Sequence, residues 1–207
     1  MLLSSGANGR KLTRKGQGTR DRIVAAAAAL IQERGVAGTS TEDVREAAGV
    51  SSSQLYHYFR DKMSLVRAVI AYLTDAVLGA QADFLGDLDS IAALRQWRDL
   101  LVRIQRGLHC EGGCPLGTLA SQLAETAPTA RLDLELAFAW WEEGIGSGLR
   151  AMHDRGELRR DVDPAKLATA LLGAVQGGLI LTQVRRDTAP LEASVDTMLD
   201  YIESLTR

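Results

Sequence analysis

Between Ser40 and Phe59 the sequence starts a helix, stops it and starts another, all within twenty residues. Ser40 lies three residues before Asp43, the spacing at which the two side chains cap a helix start reciprocally. Val44, Ala47 and Ala48 then supply an apolar side, and Gly49 closes the helix as a left-handed C-cap residue would. Val50 is expected buried in the turn. Ser51 repeats the capping pattern with Gln54, opening a helix that carries Leu55, Tyr56, His57, Tyr58 and Phe59. Two short helices joined by so tight a Gly-Val-Ser turn are forced to cross at a steep angle, which is the helix-turn-helix arrangement.

That arrangement has a geometric chemistry. The second helix stands proud and enters a major groove about 12 Å wide, its N-terminal residues toward the base edges. The first helix crosses the backbone, where its free N–H groups can hold a phosphate. Charge points the same way: residues 1–62 hold ten Lys/Arg against six Asp/Glu, a net of +4, whereas residues 63–207 carry a net of −6. A basic head on an acidic body suggests a polyanion-binding end, and a merely solvated basic tail is the plainer reading of the same numbers.

Around this core the chain reads as helix throughout. Alanine and leucine supply 59 of 207 residues and proline only 4. Residues 1–18 read as a flexible basic arm with Arg10, Lys11, Arg14 and Lys15. A helix is expected from Thr19 to Gly35 on Ile23, Ala26, Ala27, Leu30 and Ile31. Asp61 caps a helix from Lys62 to about Phe84, its core face Leu65, Val69, Tyr72, Leu73 and Ala76. Further helices are expected over 90–109 (Leu94, Trp97, Leu101, Ile104, Leu108), 116–126, 128–155, 164–184 and 190–205. The total is about nine helices and no strand: an all-α chain with a helix-turn-helix head over 19–62 and a larger helical body over 63–207.

Composition, 46% hydrophobic and 24% charged, excludes a disordered or collagen-like chain. Two cysteines are too few for a disulfide framework and fit a reducing cytosol, so a cytoplasmic location is expected. No secretory signal is visible at the start. The 18 residues 167–184 carry no charge, but four Thr/Gln and three Gly make them too polar for a lone membrane span, and they read as a buried helix.

The run Thr41-Glu42-Asp43-Val44-Arg45-Glu46-Ala47-Ala48-Gly49-Val50-Ser51, then Leu55-Tyr56-His57-Tyr58-Phe59, then Lys62, resembles the DNA-binding head of TetR-type repressors, with Arg22–Ala27 and Gly35 matching that family's first helix. The resemblance covers about residues 19–70. It implies a homodimeric repressor that binds double-stranded DNA at a palindromic operator and is released by a small apolar or amphipathic effector. Carried over position by position, it implies DNA contacts at Thr41, Ser51, Ser52, Ser53, Tyr56, His57, Tyr58 and Lys62. Thr41 would hold a phosphate, while Tyr56, His57 and Lys62 would position the backbone and add affinity more than sequence information. Ser53 departs from the family, which usually has glycine there. Gln54 has two readings: a bidentate partner for adenine, or the capping partner of Ser51. His57 also reads as an ordinary surface histidine, and Leu55 and Phe59 as core.

In the body, Gly113-Cys114-Pro115-Leu116-Gly117-Thr118-Leu119-Ala120 resembles a loop of the LmrA/YxaF-like branch. Phe84, Trp97, Leu101, Ile104, Phe138, Trp141 and Met152 could together line a cavity, although each taken singly reads as core; Trp97, Phe138 and Trp141 are chosen as ligand-binding residues. His109, Cys110, Gln122 and Gln176 are the polar groups such a cavity would use. His109, Cys110 and Cys114 are three soft ligands where zinc wants four, so no metal or other cofactor is expected, and buried thiols are the default over a redox pair. Gly173 and Gly177, with Ala170 and Ala174, would let the uncharged helix approach another closely; with the last helix (Leu191, Val195, Met198, Leu199, Ile202) it is expected to build an intersubunit four-helix bundle. No Ser/His/Asp or Cys/His set, phosphate loop or paired-metal spacing supports an enzyme, so no catalytic residue is assigned. A DNA-binding activator or architectural protein without an effector is the alternative.

Overall fold

The computed structural model describes residues 13–207. It has ten helices: α1 (Arg14–Arg34), α2 (Thr41–Ala48), α3 (Ser52–Tyr58), α4 (Lys62–Gly79), α5 (Ala82–Leu85), α6 (Ile91–Gly107), α7 (Pro115–Leu123), α8 (Pro128–Asp154), α9 (Pro164–Arg185) and α10 (Ala189–Ser204). The extended pairing among the described residues is a single bridge, Leu158 with Thr206. All four prolines stand in the first two positions of a helix, where a missing N–H costs no hydrogen bond.

The tenth helix arises because the segment expected to run to Phe84 breaks after Gly79. Gln81 turns inward there, its Nε2 donating to the Val77 carbonyl at 2.8 Å and its Oε1 accepting from Trp97 Nε1 at 2.8 Å. At the other end of the chain, α1 begins earlier than the apolar pattern indicates. Thr13 caps it by accepting from the Gly16 N–H, and Thr19 sits inside, donating to the Lys15 carbonyl. Residues 14–18, read as arm, are therefore helical; residues 1–12, with Arg10 and Lys11, lie outside the described residues.

The chain divides into two compact units. The first holds the described residues up to Asp75 together with Leu119–Leu134. Its core gathers Ile23, Ala27 and Ile31 of α1, Val44 of α2, Leu55 and Phe59, Val66, Val69 and Ile70 of α4, and Leu119, Leu123 and Ala130. Tyr72 and Ala76, expected on the core face of α4, are exposed, because the buried stripe runs instead through Val66, Ile70 and Thr74. Two polar contacts bind the later segment into this unit. Gln122 Oε1 accepts from the Val36 N–H at 2.7 Å, and Arg67 pairs with both oxygens of Asp133 at 2.5 and 2.9 Å.

The second unit holds Ala76–Thr118 and Glu135–Arg207. Within it α10 packs on α9 and α6. Leu191, Val195, Leu199 and Ile202 are all fully buried in the chain's own interior. This corrects the expectation that the last helix offers them to a second subunit. The α9–α10 approach is tight at Gly178, where a Cβ would meet Leu191 Cα at 2.9 Å. Along α6, Arg95 reaches Asp200 and Glu203, Arg98 reaches Asp196, and Arg106 reaches Glu192. Leu108, expected on the apolar face of α6, is exposed, and Val102 and Gln105 are buried instead.

Among the described residues α9 alone is long and apolar enough to cross a membrane by composition. One face, including Leu171, Val175 and Leu179, is buried in the unit; the other, with Gly173, Gly177, Ile180, Leu181 and Val184, is exposed.

Candidate nucleic-acid interface

Both reciprocal caps form. The Ser40 N–H donates to Asp43 Oδ2 at 2.8 Å, and the Asp43 N–H donates to Ser40 Oγ at 3.1 Å. The Ser51 N–H donates to Gln54 Oε1 at 2.9 Å, and the Gln54 N–H donates to Ser51 Oγ at 3.2 Å. Hydrogen bonds from Ser40 hold the Asp43 carboxyl below its ordinary pKa, so the first cap is ionised at neutral pH. Between the caps Gly49 adopts φ 63°, ψ 42°, a left-handed conformation that an L side chain disfavours. Val50 is buried beneath the turn.

A contact that the motif pattern did not single out braces this turn. Arg45 forks onto Glu42 with Nε at 2.9 Å and Nη2 at 2.6 Å, and its Nη1 donates to the Val50 carbonyl at 3.4 Å. The Arg45 guanidinium in turn lowers the Glu42 carboxyl pKa. The i,i+3 spacing of Glu42 and Arg45 is the sequence signal for the pair, but nothing in it indicates the reach to Val50.

The caps and brace divide α3 into two faces. Leu55 and the following Phe59 are buried. Ser51, Ser52, Ser53, Gln54, Tyr56 and His57 are exposed, with Tyr56 at 54%. Tyr58 is half-buried and meets the His57 ring edge-on at 5.0 Å. Thr41 and Lys62, from the starts of α2 and α4, line one shallow cleft with Ser40. The rest of its lining is mostly apolar, with Ile31, Val44, Leu65 and Val66. Arg20 lies over the Phe59 ring at 5.4 Å, placing a cation of α1 at the C-terminal end of α3. Arg14, Lys15 and Arg22 add three more basic residues to the largely unburied first turns of α1. All nine residues singled out for DNA contact therefore lie in the first unit, and none is among its fully buried groups.

The residues chosen for a ligand pocket have less in common. Trp97 is fully buried and its N–H is taken by Gln81. Phe138 is half-buried. Trp141 is buried with its Nε1 unpaired, as is Gln105 Oε1. Gln122 belongs to the first unit, and Gln176 lies against Gly117. His109 is exposed, while Cys110 and Cys114 are free, buried thiols. Burial pushes the Cys114 thiol pKa up.

Two family models match the chain. One, described as bacterial regulatory proteins, tetR family, covers residues 23–69, and one described as a tetracyclin repressor-like C-terminal domain covers residues 90–198. An uncharacterized HTH-type transcriptional regulator of Lactococcus lactis subsp. lactis is 27% identical over 195 residues, 90% of this chain and 94% of that protein. The HTH-type transcriptional repressor DhaR of Mycobacterium sp. (strain GP1) is 24% identical, covering 88% and 91%. Among solved structures, a TetR transcriptional regulator from Chloroflexus aurantiacus J-10-FL superposes with a TM-score of 0.80 at 28% identity, over 94% of this chain and 99% of that one.

Proposed function

The chain belongs to the tetR family of bacterial regulatory proteins and is a helix-turn-helix transcriptional regulator, and from that premise we propose that it is a dimeric repressor released from its operator by a small molecule. The observation that carries the reading is α3 itself: doubly capped, braced through Arg45, buried along Leu55 and exposed along the residues that would face a groove. In this reading residues 19–62 are the DNA-binding head and residues 63–207 the effector and dimerisation body. Ser52, Ser53 and Gln54 face the base edges. Thr41 and Lys62 contact the phosphate backbone from the starts of α2 and α4, and Tyr56, His57 and Tyr58 hold it from α3.

Dimerisation is supported by the exposed face of α9 (Gly173, Gly177, Ile180, Leu181, Val184) and by Leu136 and Trp140 of α8. A contiguous apolar face on a regulator of paired half-sites calls for a second copy. Two heads about 34–36 Å apart reach successive major grooves, and an effector that favours another spacing shifts the population off DNA. The unpaired Trp141 Nε1 and Gln105 Oε1 in the apolar second unit suit an uncharged effector with a few polar groups. The Gly113–Ala120 segment supports the LmrA/YxaF-like branch. A regulator of this kind works in the cytoplasm.

Selection of bound duplexes from a random pool at near-physiological salt tests the reading. Enrichment of an inverted repeat is expected, with Tyr56→Phe and Lys62→Ala weakening binding to every sequence. Binding that only fades with salt, without enrichment, would refute it and leave an architectural role.

A further inference from the structure

The cap on α3 decides which half of the Gln54 amide remains available to DNA, an argument that rests on the DNA-binding role of α3 proposed above. The atom 2.9 Å from the Ser51 N–H must be the carbonyl oxygen, because that backbone group only donates and an amide nitrogen there would set donor against donor. Nε2 lies on the other side of the planar amide, on an exposed side chain, with no partner among the described residues. Ser52 and Ser53 beside it are exposed hydroxyls that donate or accept by rotation, so they fix no polarity.

A glutamine that reads adenine uses both halves of its amide, Nε2 to N7 and Oε1 from the N6 amino group. Here the Ser51 N–H takes one of the two Oε1 lone pairs and holds the amide plane, with Oε1 turned to the helix backbone and Nε2 away from it. We infer that Gln54 is a specificity-determining residue that reads through its Nε2 donor alone. It selects a base presenting neighbouring major-groove acceptors, guanine with N7 and O6, and disfavours adenine, whose amino group would meet a donor. The sequence preference at that position is thus set by the same hydrogen bond that starts the helix.

Gln54→Glu separates the two roles. A carboxylate oxygen still accepts from the Ser51 N–H, as in the Ser-x-x-Glu form of the cap, but the side chain has no donor left. Selection from random duplexes with wild type should yield guanine at one position of each half-site. With Q54E that position alone should move to cytosine, whose N4 amino group donates. Relative preference for the wild-type base should fall roughly two- to twelvefold per half-site, the worth of one hydrogen bond. Reading the preference within each motif removes the uniform loss that an added negative charge inflicts on all DNA. On the DNA side, 7-deazaguanine at that position removes the N7 acceptor with the protein untouched, and should weaken wild type several-fold. A wild-type motif that Q54E leaves unchanged at every position overturns this inference and spares the repressor reading. So does adenine at the position Q54E alters, or indifference to 7-deazaguanine. No wild-type motif at all overturns both.

Discussion

Ile180→Glu tests the proposed subunit interface at a point where the isolated chain is little affected. Ile180 is 60% exposed on α9, between Gly177 and Val184 on one stripe. Full burial of an isoleucine side chain is worth about 1.5–3 kcal/mol, so the exposed part leaves about 1–2 kcal/mol for a partner to gain. A two-fold interface presents the residue twice, which makes about 2–4 kcal/mol per dimer before the cost of desolvating two carboxylates. The dimer dissociation constant should rise roughly 30- to 1,000-fold. The monomer should keep its fold, since a substitution on an open surface changes stability by about 0.5 kcal/mol or less. Sedimentation equilibrium over a concentration series reads the constant, and far-UV circular dichroism checks the fold. If I180E stays dimeric at every concentration at which wild type is dimeric, this face of α9 is not the interface; a monomeric wild type would remove the dimer altogether.

Other outcomes follow from single contacts. A Cβ at Gly177 meets nothing within 4 Å in its own chain, so Gly177→Ala should stabilise the dilute monomer by about 1 kcal/mol through helix propensity while weakening the dimer; a raised melting temperature with an unchanged dimer constant would show that subunits do not approach there. Trp97→Phe leaves Gln81 Oε1 buried without its donor and should cost about 1–3 kcal/mol in urea unfolding, with part of the loss recovered when Gln81 is also replaced by leucine. Burial raises the Cys114 pKa, so the folded chain holds that proton more tightly than the unfolded one. The stability this contributes is complete below the ordinary value of 9.0 and lost as pH rises beyond it, so the urea midpoint should hold to about pH 9 and fall above it, and less steeply in Cys114→Ser.

What the sequence revealed and what it hid divide along a physical line. Ser40–Asp43, Ser51–Gln54, Gly49 and Asp163–Pro164 signal helix ends through contacts three residues apart or fewer, and each forms as the spacing indicates. Asp61 likewise caps α4, accepting from the Ser64 N–H at 2.7 Å. The start of α1 was missed because Thr13 caps a stretch with no apolar face to reveal it. The break after Gly79 depends on Gln81 finding Trp97 sixteen residues on, a partner no local pattern supplies. Periodicity also cannot say what an apolar stripe packs against. That is why Leu191, Val195 and Leu199 read as available to a second subunit when they fill the interior of their own. At the interface, the residue types were legible from the motif, but the polarity of Gln54 and the reach of Arg45 to Val50 needed coordinates.

The first unit recruits Leu119–Leu134 from far along the chain. A reading head excised after α3, or grafted onto another regulator at that junction, would leave behind the glutamine that receives the Val36 N–H and strand Arg67 from its carboxylate if α4 travelled with it. Such a hybrid would carry the right groove-facing residues on a weakened mount. New operator preferences in this chain are therefore better written residue by residue into the exposed side of α3 than imported as a cassette, and a successful transplant would have to bring its sixteen-residue buttress along.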